Sequence, residues 1–248
     1  MSASLVIDGA VARLTLERPE ALNALNRDAA AALEASLGRL ARSKDVTVVI
    51  VSGRGRAFCA GNDIAEMPGL KPAEAKALSR RWQRIMDRFA RLPQVTIAAV
   101  RGYALGGGCM LAAAQDLRIA EASARFGLPE VTLGFNPSYG IARLLDVMGG
   151  GPARDLLLTG RSVDAGEALR MGLVTHVVPD GALEAASAEL AAGIARHPRG
   201  GPSATKAIVA DIRAGKSGSA AQAYAAALRR DKGARARIAA FVAKKKAR

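Results

Sequence analysis

Val95-Thr-Ile-Ala-Ala-Val-Arg-Gly-Tyr-Ala-Leu-Gly-Gly-Gly-Cys-Met-Leu-Ala-Ala-Ala-Gln-Asp-Leu-Arg-Ile119 is the stretch whose reading decides the fold. Its β-branched, apolar opening from Val95 to Val100 reads as a buried strand. Gly106, Gly107 and Gly108 follow, and the alanine-rich run from Gly108 to Gln115 reads as a helix. Glycine lets backbone approach a ligand closely, because no Cβ intervenes. The first turn of a helix leaves its N–H groups without intrahelical acceptors. A strand that delivers glycines to a helix start can therefore stabilise negative charge on an oxygen. A tight packing turn explains the same triplet equally well.

Working outward, Leu5–Ile7 and Val11–Leu16 flank Asp8-Gly9, which signals a hairpin. Asn26 or Asp28 is placed to cap a helix striped by Leu33, Leu37 and Leu40. Val46 to Val51 is continuously apolar, as in a strand covered on both faces. Strand, helix and strand predict a βαβ organisation. The loop from Gly53 to Met67 follows that strand, where α/β proteins bind ligands, but its glycines match neither the dinucleotide nor the Walker fingerprint. A helix from about Pro72 to Ala90 leads to the central strand. Beyond it, Pro152 can start a helix, Asp164 can cap the next and Gly172 can end it. Val174 to Val178 predicts a last short strand before helical patterns run to the end.

Half of the 248 residues are hydrophobic but only 4% are aromatic, so the core is expected to be aliphatic. The sequence has no run of 18 apolar residues, and its first ten residues lack a signal peptide's regions. A cytoplasmic protein with no membrane partner is expected. Cys59 and Cys109 show no metal-ligand spacing and do not make a disulfide framework. Of the net charge of +14, residues 229–248 supply +8, from nine Lys/Arg and one Asp. Such a tail suits a solvated helix, a nucleic-acid patch or a clamp for a phosphorylated ligand. It carries no RNP-like aromatic motif or zinc-finger spacing, so nucleic acid is disfavoured. A Gly-x-Ser-x-Gly elbow is missing. His176 and His197 stand apart from any nucleophile, and Asp63 and Asp116 read as structural.

Five motifs in order resemble the crotonase superfamily, the enoyl-CoA hydratase and isomerase family. They are Arg18-Pro19…Leu22-Asn23-Ala24-Leu25, Ala57-Phe58-Cys59-Ala60-Gly61-Asn62-Asp63, Gly102-Tyr103-Ala104-Leu105-Gly106-Gly107-Gly108-Cys109, Phe126-Gly127-Leu128-Pro129-Glu130…Leu133-Gly134, and Leu158-Thr159-Gly160-Arg161…Ala165…Ala168…Gly172-Leu173-Val174. The resemblance spans residues 11 to about 210. It implies an α/β fold, a ββα spiral core over 1–180, with a helical C-terminal region over 181–248 that assembles trimers or hexamers. It implies acyl-CoA thioester substrates, with coenzyme A as part of the substrate and no permanently bound cofactor. The oxyanion-hole donors it implies are the backbone N–H groups of Asn62 and Gly107, with Glu130 catalytic. Ala21, Leu22, Ala60, Asn62, Asp63, Ile64 and Gly107 are expected along the coenzyme and substrate path. Lys206 or the 244–246 lysine cluster is expected to meet the coenzyme phosphates.

Two departures from the family pattern shape the expected chemistry. Hydratases of this family use two glutamates, and the first of these positions is Met110 here. A thioether cannot exchange a proton at neutral pH, whereas two carboxylates can hold and activate water. The loop Gly134-Phe135-Asn136-Pro137-Ser138-Tyr139-Gly140-Ile141 supplies no second acid, although Ser138 and Tyr139 could hydrogen-bond a polar acyl group or water. Double-bond isomerisation by a single glutamate is therefore the expected reaction. The alternatives are a hydratase using Glu130 alone, helped by Ser138 or Tyr139, or a catalytically weak acyl-CoA- or RNA-binding member.

Overall fold

The hairpin predicted at Asp8-Gly9 forms. β1 (Ala3–Asp8) and β2 (Val11–Leu16) pair antiparallel, with Gly9 at φ +54° in the turn. A computed structural model describes residues 2–66, 68–216 and 219–246, with the side chains of Ala220, Leu228, Lys245 and Lys246 outside the description. After β2 comes α1 (Arg27–Arg42). Asn26 is the cap used, its side chain accepting from Ala29 N at 2.8 Å and satisfying one of the orphan donors of the first turn. β3 (Val48–Gly53) then returns parallel to β2, as the βαβ pattern requires.

The next turns repeat one plan. α2 (Pro72–Arg91) leads to β4 (Val95–Val100), which lies parallel to β3. A bend at Gly102 carries β4 into β5 (Tyr103–Leu105), and α3 (Gly107–Ala113) follows. β6 (Leu117–Glu121) pairs parallel with β4, and its continuation β7 (Arg125–Gly127) pairs parallel with β5. The segment after β3 joins the second layer through one residue, Cys59, bridged parallel to Ala104. Strand, strand and helix thus recur as a spiral, each turn giving one piece of chain to each layer. α4 (Ile141–Met148) and α5 (Gly150–Thr159) follow, then β8 (Ser162–Asp164), α6 (Ala165–Arg170), β9 (His176–Val178) and α7 (Leu183–Ala195). Asp164 caps α6, accepting from Glu167 N at 2.8 Å. The strands form a six-stranded sheet ordered β1-β2-β3-β4-β6-β9 and a three-stranded sheet ordered β5-β7-β8.

Successive residues of a strand face opposite sides, and β3 shows why its residues Val48 to Val51 are all apolar. Val49 and Val51 join Leu33, Leu37, Trp82, Ile85 and Phe89 of α1 and α2. Val48 and Ile50 turn the other way, with Ile97 and Ile119, onto Leu183 and Ala191 of α7. Arg101 fastens that helix: it donates to Glu121 at 3.1 Å and to Glu184 at 2.8 Å, while Glu121 also accepts from Gly181 N at 3.0 Å. Because α7 is packed on the sheet, the compact units divide into residues 1–196 and 197–248, later in the chain than the expected division at 180. The second unit holds α8 (Gly200–Arg213), α9 (Ser219–Arg230) and α10 (Lys232–Lys246). It leaves Val209, Ile212, Tyr224, Ile238, Phe241 and Val242 exposed, the last three spaced as one helical face. Among the described residues, no helix is long and apolar enough to cross a membrane.

The first motif is a structural clamp. Leu22 and Asn23 both adopt left-handed backbone, φ 50° and 59°, a conformation asparagine tolerates better than most residues. Asn23 is buried; its Oδ1 accepts from Arg18 N at 2.9 Å, and its Nδ2 donates to Arg54 O at 3.0 Å and Ala57 O at 2.8 Å. Asn23→Ala strands those buried groups and should cost about 2 kcal/mol or more of stability. Urea denaturation monitored at Trp82 checks it; an unchanged midpoint would contradict the clamp.

Candidate active site

The loop after β3 is held on both sides by backbone. Phe58 N and Cys59 N donate to Arg101 O and Tyr103 O at 2.8 and 2.9 Å, and Leu105 N donates back to Cys59 O at 3.0 Å. Ala60 N then reaches Leu22 O at 2.9 Å, Leu25 N reaches Gly61 O at 2.8 Å, and Asp63 N reaches Leu25 O at 3.0 Å. Leu25 thereby bridges the residues on either side of Asn62 and leaves the Asn62 N–H out of the pairing. Among the described residues nothing accepts from that N–H, nor from the N–H of Gly107, the first residue of α3. The two are neighbours, since a Cβ placed on Gly61 would sit 3.6 Å from Gly107 N. Two free N–H groups side by side can donate to one oxygen.

This approach depends on missing side chains. A Cβ on Gly108 would collide with the Cys59 carbonyl oxygen, and one on Gly107 with the Tyr139 hydroxyl, lying also 2.9 Å from Asn62 Oδ1. Both cysteines are buried beneath the turn, and burial pushes each thiol up to about 12.

Glu130 sits in the 3-10 turn Pro129–Leu133 that follows β7. Its Oε1 lies 3.0 Å from where a Gly106 Cβ would be, so the carboxylate rests against the glycine turn. Its Oε2 is buried with no hydrogen-bond partner. Desolvation raises its pKa above the ordinary glutamate range, against a weaker lowering by its own backbone N–H. A carboxylate oxygen buried without a donor, among the described residues, is left free to take a proton.

Position 110 carries no carboxylate; a methionine stands there. Met110 is 1% exposed and packs its Cβ and Sδ against Gly140, at 2.9 and 3.0 Å from a Cβ built there. Tyr139 is also buried, stacks on Trp82 with ring centroids 6.3 Å apart, and donates its hydroxyl to Asn62 Oδ1 at 2.5 Å.

Strands of two layers, a glycine turn opening a helix, two free N–H groups and one carboxylate point to one superfamily, and similarity to known proteins agrees. The family model described as enoyl-CoA hydratase/isomerase matches residues 7–246. The chain belongs to the enoyl-CoA hydratase/isomerase family, within the crotonase superfamily. It is 41% identical over 186 residues to a short-chain-enoyl-CoA hydratase of Clostridium acetobutylicum, a match covering 74% of this chain and 71% of that one. It is 41% identical over 170 residues to a crotonyl-CoA hydratase of Syntrophomonas wolfei, covering 68% of this chain and 65% of that one. The fold superimposes on the crystal structure of enoyl-CoA hydratase from Bacillus anthracis with TM-score 0.90 and 32% identity, over 100% of this chain and 97% of that one.

In this family member the sequence-predicted residues gather unevenly. Ala21, Leu22, Ala60, Asn62, Asp63 and Gly107 come together through the pairings above, and Glu130 joins them across the glycine turn. Asp63 is ion-paired with Arg18 at 2.9 Å, the structural role its position suggested, and Asp116 accepts from Thr96 N at 2.8 Å. Ile64 is 69% exposed at the rim. Ser138 is exposed, and its carbonyl accepts from Ser79 Oγ at 2.9 Å. Tyr139 differs from expectation: its hydroxyl donor is used inside the protein, on Asn62, rather than offered to an acyl group. Sequence reading missed the part of α2 that holds this loop, where Gln83 Oε1 accepts from Gly140 N at 2.9 Å. Trp82, the sole tryptophan, was the one available signal.

Cys59 and Cys109 should therefore resist a thiol reagent at pH 8 in the native protein, because so little thiolate forms and neither sulfur is reachable. Titration with an aromatic disulfide should find no fast thiol natively and two after unfolding. A fast native thiol would show that the glycine turn is not closed.

Proposed function

We propose that the chain converts enoyl-CoA thioesters through an enolate, with Glu130 as its one acid–base group. The observation that carries this reading is a Glu130 carboxylate whose Oε2 is buried without a partner among the described residues, together with a buried methionine at position 110. In the reaction this geometry favours, Glu130 removes a proton from C2 of a 3-enoyl thioester. The C–H electron pair moves toward the carbonyl oxygen, which the N–H groups of Asn62 and Gly107 hold as an enolate. Glu130 then returns the proton to C4, leaving the double bond between C2 and C3. One carboxylate suffices, and no water takes part. Ala21, Leu22 and Ala60 to Ile64 line the path of the coenzyme, which arrives as part of the substrate.

The names of the relatives support a second reading better than this one. Both are called hydratases. Hydration by Glu130 alone is chemically complete: the carboxylate takes a proton from water, the resulting hydroxide adds to C3 of a 2-enoyl thioester, and the enolate takes the proton at C2. Met110 weighs against efficient hydration because a thioether cannot serve as a second acid–base group to activate the water.

Crotonyl-CoA hydration and 3-hexenoyl-CoA isomerisation, measured on the same preparation, separate the two. Isomerisation should be the faster. Efficient hydration with no detectable double-bond shift would establish the second reading. Glu130→Gln should lower either activity by about 10²–10⁴-fold, and full activity in that variant would overturn both. Because the active form is the ionised carboxylate and burial raises its pKa, kcat/KM should fall with decreasing pH through a limb above the ordinary glutamate range. The exposed apolar residues of the second unit support assembly into a trimer or hexamer; light scattering at micromolar concentration should find one, and a monomer would refute it.

A further inference from the structure

We infer that Tyr139 is a positioning residue that braces both oxyanion donors, an inference that rests on the enolate reading above. Its hydroxyl occupies the space a Cβ of Gly107 would need, while donating to Asn62 Oδ1 at 2.5 Å. The same oxygen of Asn62 lies 2.9 Å from that missing Cβ. A single phenolic O–H therefore stands between the two residues whose N–H groups are free, and touches each through something other than the N–H itself. Asn62 is held at its flanks by Leu25 and at its side chain by Tyr139, so rotation of its peptide plane would break hydrogen bonds on both sides.

The tyrosine is itself clamped by three successive contacts from α2. Ser79 Oγ donates to Ser138 O at 2.9 Å, Trp82 stacks on the Tyr139 ring at an interplanar angle of 25°, and Gln83 Oε1 accepts from Gly140 N at 2.9 Å. Burial holds the phenol well above the ordinary tyrosine range, reinforced by the charge of Glu130, so it remains a donor wherever the enzyme works. An oxyanion hole acts by being in place before charge develops, and freedom in either donor would cost rate without costing ground-state affinity.

Tyr139→Phe removes the O–H and keeps the ring on Trp82. Its kcat should fall about tenfold, less than the 10²–10³ for deleting a donor, with KM little changed and a melting temperature near that of the unaltered enzyme. The direct readout is the carbonyl stretch of bound butyryl-CoA labelled with ¹³C at the thioester carbon, which can neither isomerise nor hydrate. In the unaltered enzyme the stretch should lie below its solution frequency, and in Tyr139→Phe it should move back toward it. Asn62→Ala keeps the backbone N–H but removes the acceptor, and should reproduce the same changes. The double variant should then be no worse than either single one, as for groups acting as a unit. If Tyr139→Phe melts far below the unaltered enzyme, Asn62→Ala carries the same spectral test. Retention of the full shift in these variants, or additive losses in the double variant, overturns the brace. The absence of any shift in the unaltered enzyme overturns the enolate reading instead.

Discussion

The backbone of the loop after β3 meets the start of α3 with no side chain between them, and the rest of the site follows from that contact. The Cys59 carbonyl lies where a Cβ on Gly108 would be, and Cys59 bridges Ala104. Side chains on these glycines would hold the two segments apart and remove the proximity of Asn62 to Gly107. Close approach of backbones is open only to glycine. The energy to hold it comes from elsewhere, from the aliphatic layers of α1 and α2 on one face of the sheet and α7 on the other.

With the donors placed, the character of the chemistry depends on what surrounds them. Glu130 is buried enough to lose solvation and is given no compensating donor on Oε2. Across the site, Met110 is packed against Gly140, and the segment from Ser138 to Gly140 is fixed to α2. Position 110 holds a well-packed methionine and not a carboxylate, which is why a single proton carrier is the economical reading. The relatives' names lean toward hydration.

Much of the architecture was legible because it depends on local signals. Asp8-Gly9 marks a hairpin, Asn26 a helix start, and Asp164 another, since turn and cap chemistry act within a few residues. The run of apolar residues Val48 to Val51 in β3 announced cover on both faces, and α7 provides one of them. The end of the first unit was not legible. Asp180-Gly181 and the Pro/Gly-rich run from His197 to Pro202 both read as breaks in the sequence; the packing of Leu183 and Ala191 on the sheet, and Arg101 reaching Glu184 across more than eighty positions, keep α7 with the first unit. The partner of Tyr139 was not legible for the same reason, because in sequence it is a polar residue in a loop and only the fold shows where its hydroxyl points.

By itself the sequence determined the order of elements, the glycine turn, the carboxylate Glu130 and the absence of a second at position 110. Each is a property of residue type at a spacing, and residue types do not change on folding. Tertiary structure alone decided which N–H groups are left free, that Glu130 Oε2 lacks a partner, and that the Tyr139 hydroxyl is spent on Asn62. Those are facts about pairing between segments far apart in the chain. Pairing is settled only when burial in a shared core removes water as the competing partner.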